Sequence, residues 1–116
     1  MENKVVLFAF NGDIMYFSQV LLNAFDMHQK GFDVKIVIEG SATRQISELA
    51  EPEKPFGTLY TKVKELGLID CVCKACAAKT GVLDSAASQW LPICEEMSGH
   101  VSIGRYIEEG YEVVVF

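Results

Sequence analysis

The feature that most constrains this chain is a set of short segments that are apolar almost end to end. They are Lys4–Phe10 (KVVLFAF), Phe32–Ile38 (FDVKIVI), Leu68–Cys73 and Tyr111–Phe116 (YEVVVF). A strand with one face in water alternates apolar and polar residues. A continuous apolar run instead reads as a strand covered on both faces, as in a parallel sheet. Helical patterns separate these runs, so the chain reads as an α/β fold whose mostly parallel sheet is sandwiched between helices. The 116 residues suit one domain, with no repeat, linker or low-complexity tract.

The first run stops at Asn11-Gly12-Asp13, where Asp13 is an expected N-cap for a helix over Ile14–Lys30 that ends at Gly31. A short helix over Thr43–Ala50 and a proline-bearing loop, Glu51–Pro55, follow the second run. Leu59, Val63 and Leu66 then mark one face of a helix over Thr58–Leu66, closed by Gly67. After Cys73 the pattern predicts a helical turn over Lys74–Lys79 closed by Gly81. Next comes a helix capped by Asp84 or Ser85 and broken near Leu91 by Pro92. A short strand over Val101–Ile103 and a helix over Gly104–Glu109 complete the expectation.

The first helix carries more apolar surface than one sheet can cover. Gln19, Asn23, Asp26 and Lys30 fall in one narrow sector, and apolar residues fill most of the remaining circumference. The excess predicts a second contact surface, most simply another copy of the chain. His28 lies within that arc and reads as an interface or core residue.

Ten Lys and Arg against sixteen Asp and Glu give a net charge of −6, which argues against a nucleic-acid partner. No apolar run approaches the ~20 residues that span a bilayer, so no membrane partner is expected. Neither does the start read as a signal peptide. These readings predict a cytoplasmic protein. Thiols stay reduced there, so four cysteines, with Cys71, Cys73 and Cys76 closely spaced, call for an explanation other than disulfides.

In open α/β sheets, ligands gather beyond the carboxyl ends of the strands. The predicted ends are Asn11-Gly12-Asp13, Glu39-Gly40-Ser41, Cys73-Lys74 and Gly104. The first two lack a phosphate-binding glycine motif and read as ordinary turns. The third places Cys73 where a strand gives way to a helical turn, beside Lys74. That environment is expected to lower the thiol pKa, with Lys74 steadying an anionic sulfur. Cys76 lies one helical turn on and completes Cys-x-x-Cys. Cys71 and Cys94 read as core residues.

The segment Val72-Cys73-Lys74-Ala75-Cys76-Ala77-Ala78-Lys79-Thr80-Gly81-Val82 resembles the active-cysteine segment of the DsrE/DsrF/TusD-like sulfur-relay family. The resemblance extends to the apolar first strand, the long first helix, the second strand ending near Glu39 and the terminal strand. It implies a three-layer sandwich with a five-stranded parallel sheet and homo-oligomers, trimeric or hexameric. It also implies a persulfide carried on Cys73, with sulfur donor and acceptor proteins bearing reactive thiols as partners. A neighbouring Cys76 can attack that persulfide and release sulfide. The competing readings are a dithiol oxidoreductase using Cys73 and Cys76, a metal site and a non-enzymatic binding module. A metal site would draw on Cys71, Cys73, Cys76, Cys94 and His100, but Cys-x-Cys-x-x-Cys is not the usual structural zinc spacing, so no metal or other cofactor is expected. His100 follows Ser98-Gly99 and reads as a loop residue without an evident partner.

Overall fold

A computed structural model describes residues 3–116. Parallel strands β1 (Lys4–Ala9), β2 (Asp33–Ile38), β3 (Ile69–Cys73), β4 (Ile93–Cys94) and β5 (Glu112–Val115) form one sheet in the order β4-β3-β2-β1-β5. Helices α1 (Ile14–Gln29), α2 (Arg44–Glu48), α3 (Gly57–Glu65), α4 (Lys74–Thr80) and α5 (Leu83–Ser88) connect the first four strands. Their apolar residues pack with Val5, Leu7 and Ala9 of β1 on one face of the sheet. Helix α6 (Ile103–Glu108) precedes β5 and packs Tyr106 with Val6, Phe8, Val37, Cys71 and Cys73 on the other face. The result is the α/β sandwich expected from the apolar runs, with Val5–Ala9 of β1 and Ile36–Ile38 of β2 buried on both sides. No helix among the described residues is long and apolar enough to cross a membrane.

This order creates the position of the site. The chain leaves the carboxyl ends of β1, β2 and β3 toward the first face, whereas the segment after β4 leaves toward the second. Parallel crossovers keep one hand, so helices change sides when the strand order turns back toward β5. A groove therefore opens beyond the carboxyl ends of β1, β2 and β3, walled by the segment that follows β4, where ligands collect in such sheets.

The local signals around α1 match the structure, whereas the α3 face read as Leu59, Val63 and Leu66 does not. Asp13 accepts a hydrogen bond from the Met15 amide at 2.9 Å, and Asn11 accepts one from the Asp13 amide at 2.8 Å. A Cβ added to Gly12 would lie 2.4 Å from the Ser41 carbonyl oxygen, so only glycine lets these two strand-end turns touch. In α3 the buried stripe is Tyr60 and Val63, while Leu66 is exposed.

The second half departs from expectation at three points. Helix α5 is capped at Val82, with Asp84 inside its first turn and Ser85 further in, and it ends at Ser88. The chain then takes a left-handed turn at Trp90, φ 61°, two residues before Pro92. The strand expected at Val101–Ile103 is instead Ile93–Cys94. Pro92 begins the edge pairing by accepting from the Val72 amide at 2.8 Å, a role that needs no N–H of its own. Val101 is a buried loop residue, and Gly104 lies inside α6 rather than at a strand end.

On α1, Phe17, Ser18, Val20, Leu21 and Ala24 face the core. Met15, Tyr16 and Leu22 are left exposed, Met15 by 75%. The surplus apolar arc read from the sequence thus lies on the surface of the single chain.

Candidate functional site

Four side chains meet beyond the carboxyl ends of β2 and β3, beneath the segment that follows β4: Glu39, Cys73, Cys76 and His100. Cys73 ends β3 and caps α4, its sulfur accepting from the Cys76 amide at 3.4 Å. One helical turn brings the Cys76 sulfur to 3.0 Å from it, with the Cys73 thiol donating. His100 Nδ1 lies 3.2 Å from the Cys73 sulfur and 3.8 Å from that of Cys76.

His100 is held by the chain around it. Ser98 and Gly99 both have positive φ, 49° and 92°, and make a two-residue turn closed by paired Met97–His100 backbone bonds of 3.0 Å. The Gly99 carbonyl accepts from the Ala75 amide at 2.9 Å, which ties this turn to the start of α4. Glu39, the residue just after β2, is 4% exposed, and its Oε1 accepts from the Val101 amide at 3.4 Å. On the other side of α4, the Thr43 and Thr80 hydroxyls lie 2.7 Å apart. The first reaches the Gly40 carbonyl at 2.8 Å and the second the Cys76 carbonyl at 3.0 Å, so two protons serve three contacts and fix α4 against the β2 turn.

The two thiols differ in access. Cys73 has no exposed surface, whereas Cys76 is half-buried and borders two grooves. One groove, about 440 Å³, runs past Phe10, Glu39, Met97, His100 and Ile103. The other, about 280 Å³, is flanked by Arg44 and Lys79. A separate depression beside Gly12, Arg44 and Lys54 carries no thiol or imidazole.

The expected electrostatics of Cys73 are corrected here. Burial, the adjoining Cys76 thiol and the Glu39 carboxylate push the Cys73 thiol up to about 12, and the Cys76 amide offsets them only in part. The Lys74 ammonium pairs with Glu95 at 2.7 Å on the surface and is not directed at the sulfur. The local strand-to-helix signal had left out the cost of burying the thiol, which dominates.

Cys71 is fully buried 3.5 Å from the Tyr106 hydroxyl, and burial raises its pKa. Cys94 is half-buried against the same cluster on edge strand β4. All four cysteines are free. Glu39 is the site residue that the motifs do not point to, and His100 enters the sequence reading only as a candidate metal ligand, without an evident partner. The available signals were an acidic residue ending an apolar strand and a Ser-Gly turn that fixes the residue after it.

No family model matches the chain. It is 32% identical over 94 residues to the uncharacterized protein MJ0733 of Methanocaldococcus jannaschii, a match covering 81% of this chain and 74% of that one. The chain belongs to the MJ0733 family. An uncharacterized protein of Archaeoglobus fulgidus is 56% identical over 36 residues, which are 31% of this chain and 97% of that one. Among solved structures, the conserved protein of unknown function BT1422 from Bacteroides thetaiotaomicron superposes with a TM-score of 0.72. The match covers 98% of this chain and 95% of that one at 14% identity, so this member of the MJ0733 family shares its fold.

Proposed function

We propose that the chain is a carrier of sulfane sulfur, working in a reducing compartment such as the cytoplasm, with Cys76 as the entry thiol and Cys73 as its buried partner. The observation that carries this reading is the 3.0 Å approach of the two free sulfurs beneath His100, with only Cys76 opening onto the grooves. The resemblance of the Val72–Val82 segment to sulfur-relay proteins points the same way.

The Cys76 sulfur attacks the terminal sulfur of a donor persulfide, R–S–SH. A new S–S bond forms as the donor's S–S bond breaks, and the electron pair leaves on the donor sulfur. The Cys76 proton passes through His100 to that leaving group, giving R–SH and a Cys76 persulfide with no net oxidation. Arg44 and Lys79, on the groove beside Cys76, favour the departing anionic sulfur.

Cys73 then has two routes. Attack on the outer sulfur moves the persulfide to Cys73, the carrier position implied by the resemblance. Attack on the inner sulfur releases hydrogen sulfide and leaves a Cys73–Cys76 disulfide, which an external thiol reductant must reopen. The same proximity favours the dithiol-oxidoreductase reading as this second branch. Intact-mass measurement after exposure to a persulfide donor tests the proposal: uptake of one sulfur supports it, and an unchanged mass refutes it.

We propose further that the chain self-associates through α1, as a trimer or hexamer. Met15 and Leu22 lie two turns apart on one line, with Tyr16 beside them, and all are exposed. Sedimentation equilibrium is expected to show an oligomer that the Tyr16→Glu/Leu22→Asp variant reduces to a monomer. A wild-type chain that stays monomeric at high concentration would contradict this.

A further inference from the structure

We infer that Glu39, Cys73, Cys76 and His100 also form a site for a divalent metal ion of the zinc class. Among the described residues, these four place a carboxylate oxygen, two sulfurs and an imidazole nitrogen all within 4.8 Å of one another. Zinc takes thiolate, imidazole and carboxylate ligands at about 2.0–2.3 Å in a tetrahedron, whose edges are then about 3.3–3.8 Å. The sulfur–sulfur distance of 3.0 Å and the sulfur–nitrogen distances of 3.2 and 3.8 Å bracket that range. Closing on a metal therefore takes shifts of less than about 1 Å for the sulfurs and the imidazole. The Glu39 oxygen, which lies within 4.8 Å of them, moves by at most about 1.5 Å.

The donor set is not the one that cysteine spacing suggests. Cys71 is engaged by Tyr106, and Cys94 lies outside the cluster. The set draws instead on a strand-end carboxylate and a turn histidine, brought together by the sheet order. Two soft sulfurs with one imidazole favour zinc over magnesium or calcium, which prefer all-oxygen shells. The nearly buried Glu39 supplies a negative ligand at the inner wall, and His100 closes the outer side.

Binding displaces the thiol protons and uses both sulfurs. Metal binding itself does not depend on the sulfur-carrier reading. Only its consequence, that a bound metal blocks sulfur uptake, rests on that reading.

The test uses the full chain, reduced, chelator-treated and kept anaerobic, then titrated with Co²⁺ and afterwards with Zn²⁺. The expected result is one Co²⁺ per chain, with a near-ultraviolet thiolate-to-cobalt band and tetrahedral visible bands that Zn²⁺ removes. Cys73→Ser and Cys76→Ser should each cut the thiolate band by about half or more and weaken binding, and the double variant should abolish the band. His100→Ala and Glu39→Gln should each weaken binding by about tenfold or more. Circular dichroism of each variant checks that it has folded. No thiolate band, an unchanged titration of folded Cys73→Ser, or an unchanged affinity in Glu39→Gln would overturn the four-residue site. Sulfur uptake is measured separately on metal-free protein. A chain that binds Co²⁺ but takes no sulfur refutes the carrier reading alone, and one that takes sulfur but binds no Co²⁺ refutes the metal site alone.

Discussion

Cys76→Ser is expected to slow sulfane-sulfur uptake by about 100-fold, because the remaining thiol of the pair is closed to solvent. Cys73 has no exposed surface and lies behind Cys76 and the Met97–His100 turn. A donor can reach it only when that turn opens, and a local opening that costs about 3 kcal/mol lowers the rate by about 100-fold. Cys73→Ser should behave differently. Uptake continues on Cys76, but the persulfide is trapped there, because no adjacent sulfur can release sulfide from it. Time-resolved intact-mass measurement, with sulfide detected in parallel, separates these outcomes. Equal uptake rates in Cys76→Ser and wild type would show that the entry thiol is misassigned.

His100→Ala is expected to lower uptake by about 100-fold as well, at the lower end of what a positioned acid–base group supplies. His100 Nδ1 is within 3.2 Å of one sulfur and 3.8 Å of the other, so it is placed to move a proton between thiol and leaving group. It also stands between the pair and solvent, which allows a decisive contrast. If His100 were only a lid, removing it would expose Cys73 and speed both alkylation and uptake. If it transfers the proton, alkylation of Cys73 rises while sulfur uptake falls, and added imidazole restores part of the rate. Uptake at the wild-type rate in folded His100→Ala would remove the proton-transfer role.

The fold was legible where the sequence is regular. Continuous apolar runs marked β1, β2, β3 and β5, and Asp13 and Gly31 bounded α1 through chemistry local to each residue. Reading failed where tertiary contacts decide. The two-residue strand β4 is too short to show a period, and it exists because Val72 finds the Pro92 carbonyl across the sheet edge. Val101 looked like a strand residue because it is apolar, but its burial comes from the loop folding over Glu39.

The site divides in the same way. Cys73 and Cys76 stand out in sequence because three positions set one helical turn, and the structure brings their sulfurs together. Glu39 and His100 lie 34 residues before Cys73 and 24 after Cys76, and only the strand order and the Ser98-Gly99 turn bring them to the thiols. Lys74 shows the converse. It is adjacent in sequence, yet its ammonium is engaged by Glu95. Neighbours along the chain named the nucleophiles, but not the groups that control them.

The central claim is that the Cys73–Cys76 pair takes up sulfane sulfur. The most direct measurement is intact and peptide mass spectrometry of the reduced, metal-free chain after exposure to a persulfide donor. The expected result is a gain of one sulfur, located on the peptide containing Cys73 and Cys76 and absent from the folded Cys73→Ser/Cys76→Ser variant. An unchanged wild-type mass, or equal sulfur uptake by that double variant through Cys71 or Cys94, would contradict it.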